Sequence, residues 1–204
     1  MCRISEFLPV LLIAGSALLL AGCTSYYNPL DDYEQLEPAT ILAAPDAAPG
    51  SYPAESVARG RYLVSLLGCG SCHTDGALVG APVPGHELAG SSVGIAYSNP
   101  MATSRPGVLY ASNLTPDPAT GIGDRSLEDL VRMIRLGIDQ HGGETIPVMP
   151  WPAYANILEA DAQAIAMYLK SLPAVRHEVP ANVRPGQRAT APFVYFGVYQ
   201  SRQR

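Results

Sequence analysis

The sequence predicts a mostly α-helical fold in which few helices are joined by long Gly- and Pro-rich loops. Three observations carry that expectation. Apolar residues recur at three- and four-residue intervals in three segments, 53–67, 126–136 and 158–171. Between them, 19 glycines and 19 prolines in 204 residues punctuate the chain and argue against a sheet-rich fold. The third observation is Cys69-Gly70-Ser71-Cys72-His73, two thiols three positions apart followed at once by an imidazole. This is the spacing of c-type haem attachment. One helical turn sets both sulfurs toward the former vinyl groups of a porphyrin, and the next residue reaches its iron. Alone, Cys-x-x-Cys also suits a dithiol redox pair, half a zinc site or a structural disulfide. The adjacent histidine and an export signal favour one covalent haem c, since the motif occurs once. Haem adds apolar area that the core need not supply, and the length suits one domain with extensions.

In chain order, residues 1–22 read as a leader. Residues 7–20 are an apolar run broken by Pro9 and Gly15, preceded by Arg3 and too short for a comfortable membrane span. An uncleaved membrane anchor is the alternative. Leu20-Ala21-Gly22-Cys23 resembles the bacterial lipobox, which implies cleavage before Cys23 and lipid on its thiol and amine. The expected location is the periplasm, as a membrane-anchored lipoprotein; Thr24 rather than Asp after the cysteine favours the outer membrane over the inner. All four cysteines are then assigned: Cys2 in the leader, Cys23 to lipid, Cys69 and Cys72 to haem. Residues 23–52 carry five acids, no basic residue and four prolines, the composition of an extended tether. Packing of this segment through Tyr26, Tyr27 and Tyr33 is the competing reading.

The haem domain is expected over 53–174. Pro53 starts the first helix, Glu55 suits its positive end, and Val57, Gly60, Val64 and Leu67 form its stripe. Gly60 costs about 1 kcal/mol against Ala inside a helix. Close approach of the last helix, with Tyr168 over the gap, would account for it; an ordinary tolerated glycine is the alternative. Residues 74–112 show no sustained period, a length of loop that suits wrapping a cofactor. His86 and Met101 lie there as minor candidates for the second axial ligand.

Ser126 and Asp129 have capping-box spacing and open a helix ending at Leu136, with Gly137 after it and Leu127, Leu130, Val131 and Ile134 inward. Met133 in that helix and Met167 in the last one read as core. Met149 stands in Ile146-Pro147-Val148-Met149-Pro150-Trp151-Pro152, where flanking prolines hold the backbone and lower the cost of aiming a thioether at iron. Core filling beside Trp151 is its alternative role, and His141 is the bis-histidine alternative for the ligand. The last helix presents Ile165, Tyr168, Leu169 and Leu172.

Beyond the haem motif, residues 113–175 resemble the single-haem cytochrome c domains that serve as electron-transfer subunits or partners of bacterial periplasmic and membrane-bound dehydrogenases. The matching elements are Asn113 to Asp117, Gly121 to Gly123, the helix holding Glu128 and Arg135, Met149-Pro150-Trp151 and Tyr168 to Pro173, with Gly60 to Val64 and Leu88 to Gly90 upstream. The resemblance implies a class I cytochrome c fold with His73 and Met149 as axial ligands, Asn113 near the haem edge and Trp151 beside it. Many relatives carry Trp where this chain has Arg125. That arginine pairs with a propionate or is solvated.

Residues 175–204 form a basic, aromatic tail, with five arginines against Glu178 while the whole chain is at −5. The tail contains Pro192-Phe193-Val194-Tyr195-Phe196, apolar enough to want a surface: its own domain, a partner or a membrane interface. Nothing in the charge pattern points to nucleic acid. The expected function is outer-sphere electron transfer from a dehydrogenase to the respiratory chain, without catalysis by this chain. A free carrier to a terminal oxidase or reductase is the alternative, and a haem-based sensor or enzyme would need a replaceable sixth ligand.

Overall fold

A computed structural model describes residues 42–50, 52–98, 105–137 and 148–195. The leader, Cys23, Met101, His141 and the residues after 195 lie outside them. The elements are α1 (Ala54–Leu66), α2 (Cys69–His73), a 3-10 turn (Ala77–Val79), β1 (Gly94–Ala96), β2 (Val108–Leu109), α3 (Leu127–Leu136), α4 (Trp151–Tyr154), α5 (Glu159–Lys170) and β3 (Phe193–Tyr195).

Helix α1 follows Pro53, whose φ of −58° suits a helix entrance, and carries Glu55 in its first turn. It meets α5 at Gly60. A Cβ there would lie 2.0 Å from the Ala164 carbonyl oxygen and 2.7 Å from Tyr168 Cβ. The glycine is therefore a close-approach residue, as the helix spacing anticipated. Tyr168 is fully buried, and its hydroxyl donates to the Pro45 carbonyl at 2.7 Å.

That bond is one of several that tie residues 42–50 onto α1 and α5. Ala44 is part of the core, its carbonyl accepts from Arg61 Nε and Nη2 at 3.1 and 2.9 Å, and the Ala48 N–H donates to the Ser171 carbonyl. The segment expected as free tether up to residue 52 is thus tied down between residues 44 and 48, where the carbonyls of Ala44 and Pro45 meet donors on two helices. Helix α3 is capped by Ser126, whose Oγ accepts from the Asp129 N–H at 3.0 Å, and ends at Gly137 with φ of 64°. Its Leu130 and Val131 join Leu63, Val64, Ile165 and Leu169 in one core.

The structure adds a small sheet to these helices. Its order is β2-β1-β3, with Ile95 opposite Leu109 in an antiparallel pair and Ile95 beside Val194 in a parallel one. A second apolar cluster forms under it from Ala96, Val108 and Tyr110, with Val183, Phe193 and Tyr195 packed against them. The Tyr110 hydroxyl donates to the Ala191 carbonyl at 3.0 Å. The described part of the tail therefore packs on its own domain, since strand pairing satisfies its backbone while the cluster shelters its aromatic rings. No helix of the described residues is long and apolar enough to cross a membrane.

Candidate functional site

Leu67 ends α1, and Gly68, with φ of 69°, reverses the chain into α2. The Cys69–His73 pattern thus sits on one short helix locked to the chain around it. The His73 carbonyl accepts from the Gly90 N–H at 2.8 Å, and the buried Thr74 accepts at Oγ1 from the Leu88 N–H at 3.1 Å.

The His73 ring lies with Nδ1 2.7 Å from the Ser112 carbonyl oxygen. A carbonyl only accepts, so Nδ1 carries the proton and Nε2 keeps its lone pair. Burial pushes the imidazole pKa down, with the Ser112 bond acting the other way. A neutral imidazole with an oriented Nδ1–H and a bare Nε2 is the ligating form of histidine.

The acceptor is held in turn by Asn113, which is 2% exposed. Its Nδ2 donates to Thr120 Oγ1 at 3.1 Å and to the Val175 carbonyl at 2.8 Å. Its Oδ1 accepts from the Thr115 N–H at 2.8 Å and from Thr115 Oγ1 at 2.7 Å. Both donors and both acceptor positions of the amide are used inside the protein. The role this geometry assigns to Asn113 is to knot the 113–120 loop to residue 175 and so fix the backbone that holds His73.

Cys69 and Cys72 are half-buried and not bonded to each other. Burial pushes the Cys69 thiol up to about 11 and raises Cys72 as well. A thiol-redox pair needs a depressed thiol pKa, and this environment does the opposite.

Tyr154, a residue that sequence reasoning missed, is buried beside the chain that enters α2. Burial first, then the charges of Cys69 and Cys72, push its phenol up to about 12, and its hydroxyl donates to the Leu67 carbonyl at 3.3 Å. The available signal is Pro150-Trp151-Pro152-Ala153-Tyr154, a proline-started turn with two aromatics three apart. Helix α4 begins at Trp151, whose side chain packs so tightly over Gly137 that a Cβ there would come within 2.6 Å of it. Met149 is half-buried in the bend just before, and its carbonyl accepts from the Trp151 N–H at 2.7 Å. Met149 and Trp151 are therefore joined through α4 to a tyrosine whose hydroxyl reaches the carbonyl of Leu67, two residues before Cys69. Met133 packs against the helical core. His86 turns to Asp75 and to His177, whose ring centroid lies 4.7 Å from its own.

Among curated proteins, the chain is 38% identical over 133 residues to a nicotinate dehydrogenase subunit of Pseudomonas putida, covering 65% of this chain and 10% of that protein. It is 31% identical over 150 residues to the fructose dehydrogenase cytochrome subunit of Gluconobacter japonicus, covering 74% and 27%. It is 36% identical over 109 residues to the cytochrome c subunit of the quinone alcohol dehydrogenase of Gluconobacter oxydans, covering 53% and 20%. The last two of these relatives are named as cytochrome subunits of dehydrogenases. The chain spans between 10% and 27% of the lengths of these three. No family model matches. The cofactor that these cytochrome c relatives imply is haem c, and the residues on α2 fit it: two thiols one turn apart and a histidine in its metal-ready tautomer.

Proposed function

We propose that this chain is a monohaem cytochrome c domain of the class I type, working as the electron-transfer partner of a periplasmic or membrane-bound dehydrogenase. The observation that supports this best is the Nδ1–H of His73 held on the Ser112 carbonyl at the end of the Cys69–His73 helix. Cys69 and Cys72 would hold haem c as thioethers, His73 would ligate on one side and Met149 on the other. Haem supplies a one-electron ferric–ferrous couple.

What the protein adds is rigidity and dryness. Asn113 fixes the loop behind His73, Tyr154 is anchored on the Leu67 carbonyl just before the Cys69–His73 helix, and Trp151 closes the end of α3. A ligand set held this firmly changes little between redox states, and two strong axial ligands leave no position for substrate. This favours an electron carrier over a catalyst. The likeness to dehydrogenase cytochrome subunits supports a dehydrogenase as the donor. Export and anchoring through a lipidated Cys23 belong to the same proposal and rest on the lipobox-like Leu20 to Cys23.

The test is to solubilise a tagged chain from native membranes, then apply haem stain and mass spectrometry to whatever stays bound. One covalent haem, a lipid mass on Cys23 and a stoichiometric dehydrogenase are expected. A band without haem overturns the reading at its first step, and haem protein recovered alone overturns the fixed-subunit part in favour of a diffusing carrier.

A further inference from the structure

Outside the haem motif, three side chains distant in sequence converge. Asp75, His86 and His177 bring one donor atom each to within 4.8 Å of one another. Asp75 Oδ2 stands 3.8 Å from His86 Nδ1 and 3.8 Å from His177 Nε2, beyond hydrogen-bond reach of either.

The surroundings prepare these groups as ligands. Asp75 Oδ1 is taken by the Ser92 N–H at 2.7 Å, leaving Oδ2 to face the rings. His177 Nδ1 lies 2.9 Å from the Ala89 carbonyl and so carries a proton, which turns Nε2 toward Asp75. That nitrogen meets the Ser92 hydroxyl at 3.2 Å, a contact that a cation can displace. His86 Nδ1 is sealed from solvent and has no hydrogen-bond partner among the described residues. A buried, unpaired nitrogen is costly to maintain, and a cation would satisfy it.

We propose that Asp75, His86 and His177 form a site for a divalent transition metal of the zinc type. Two imidazoles and one carboxylate with an open fourth position are a recurrent zinc donor set. Ligand distances of about 2.1 Å place donor atoms about 3.4 Å apart, so the cluster closes with small side-chain rotations. The Ala89 bond holds the His177 ring with Nε2 directed at the cluster, and the Asp75 and His177 side chains are largely buried. The bound ion would clip the 86–92 loop and residue 177 to the chain two residues beyond His73. The site stands independently of the haem assignment.

The experiment uses the full chain as purified, with its haem, stripped by chelator and then offered Zn2+ alone. One equivalent of zinc retained through gel filtration is expected, with a melting temperature raised by several degrees. The variants His86→Gln and His177→Gln, checked for unchanged haem content and circular dichroism, should lose the retained zinc and the thermal shift. Zinc-edge X-ray absorption on the unmutated protein should report two imidazoles and an oxygen ligand. No retained zinc, equal retention by both variants, or a shell without imidazole overturns the site. A shell built on sulfur overturns it as well, and would show in addition that Cys69 and Cys72 carry no haem.

Discussion

His73 and Ser112 are joined by a 2.7 Å hydrogen bond in which the imidazole donates from Nδ1 to a backbone carbonyl 39 residues away. The acceptor is rigid because its neighbour Asn113 has every polar atom of its amide engaged. The orientation of the His73 ring is thus set by a loop knot, not by the motif that names the ring.

Asn113→Ala should therefore act at two levels. Truncation leaves the buried Thr115 N–H without its acceptor and takes from the Val175 carbonyl one of its two donors, Thr115 Oγ1 remaining, at a cost of about 1–3 kcal/mol. Urea unfolding should report that loss. The redox potential of the purified protein should shift too, whereas a substitution that only loosened the fold would leave it in place.

Gly60→Ala is a test of helix packing. Helix propensity alone predicts a gain of about 1 kcal/mol for Ala. The added methyl, however, would sit 2.0 Å from the Ala164 carbonyl oxygen and 2.7 Å from Tyr168 Cβ, both on α5. Backbone cannot yield as a flexible side chain can, so net destabilisation of about 1–3 kcal/mol is expected in thermal or urea melts. A stabilised variant would mean that the two helices separate freely.

The three long helices could be read in advance because their signals are local. Ser126 and Asp129 cap α3, Gly137 closes it, and Gly60 marks a helix crossing. The sheet could not. Its strands are two or three residues long, and β1 pairs with β3 across about a hundred residues, Gly94 with Phe193; nothing in a window around either strand encodes the other. The same holds within the site. Cys69, Cys72 and His73 declare themselves by spacing, whereas Tyr154 reaches the Leu67 carbonyl beside them only through the fold. Asp75, His86 and His177 share no sequence interval that a metal motif would use, so His86 read as a candidate for iron while the fold places it with His177.

Asp117 gives the pH prediction. Its carboxylate accepts at Oδ1 from Thr120 Oγ1 at 2.8 Å, the Thr120 N–H at 2.7 Å and the Ala119 N–H at 3.1 Å. Led by the Thr120 hydroxyl, these bonds hold its pKa below the ordinary 3.8, with Arg176 contributing last. A depressed folded-state pKa means stabilisation that is complete above the ordinary value and is lost as pH falls through the folded one. The stability difference between the unmutated chain and Asp117→Asn should be constant from neutral pH to about 5 and shrink below about 4. Denaturant melts across that range test it, and a difference that grew with acid would reverse the assignment.

Met149 offers the sharpest test of the electron-transfer reading. It is half-buried in the bend that leads into α4, and α4 carries Tyr154, bonded to the Leu67 carbonyl two residues before Cys69. A thioether ligand favours ferrous iron and raises the potential relative to harder ligands. Met149→Ala should keep its covalent haem, since both thiols and His73 remain, yet lose the sulfur ligand. The expected outcome is a lower midpoint potential and rapid ferrous binding of carbon monoxide, which the unmutated protein resists. Added imidazole should restore a six-coordinate spectrum without restoring the potential. That pattern separates a ligand from a packing residue, because a Met149 that merely filled the core would lower the melting temperature and leave potential, spectrum and gas binding as they were.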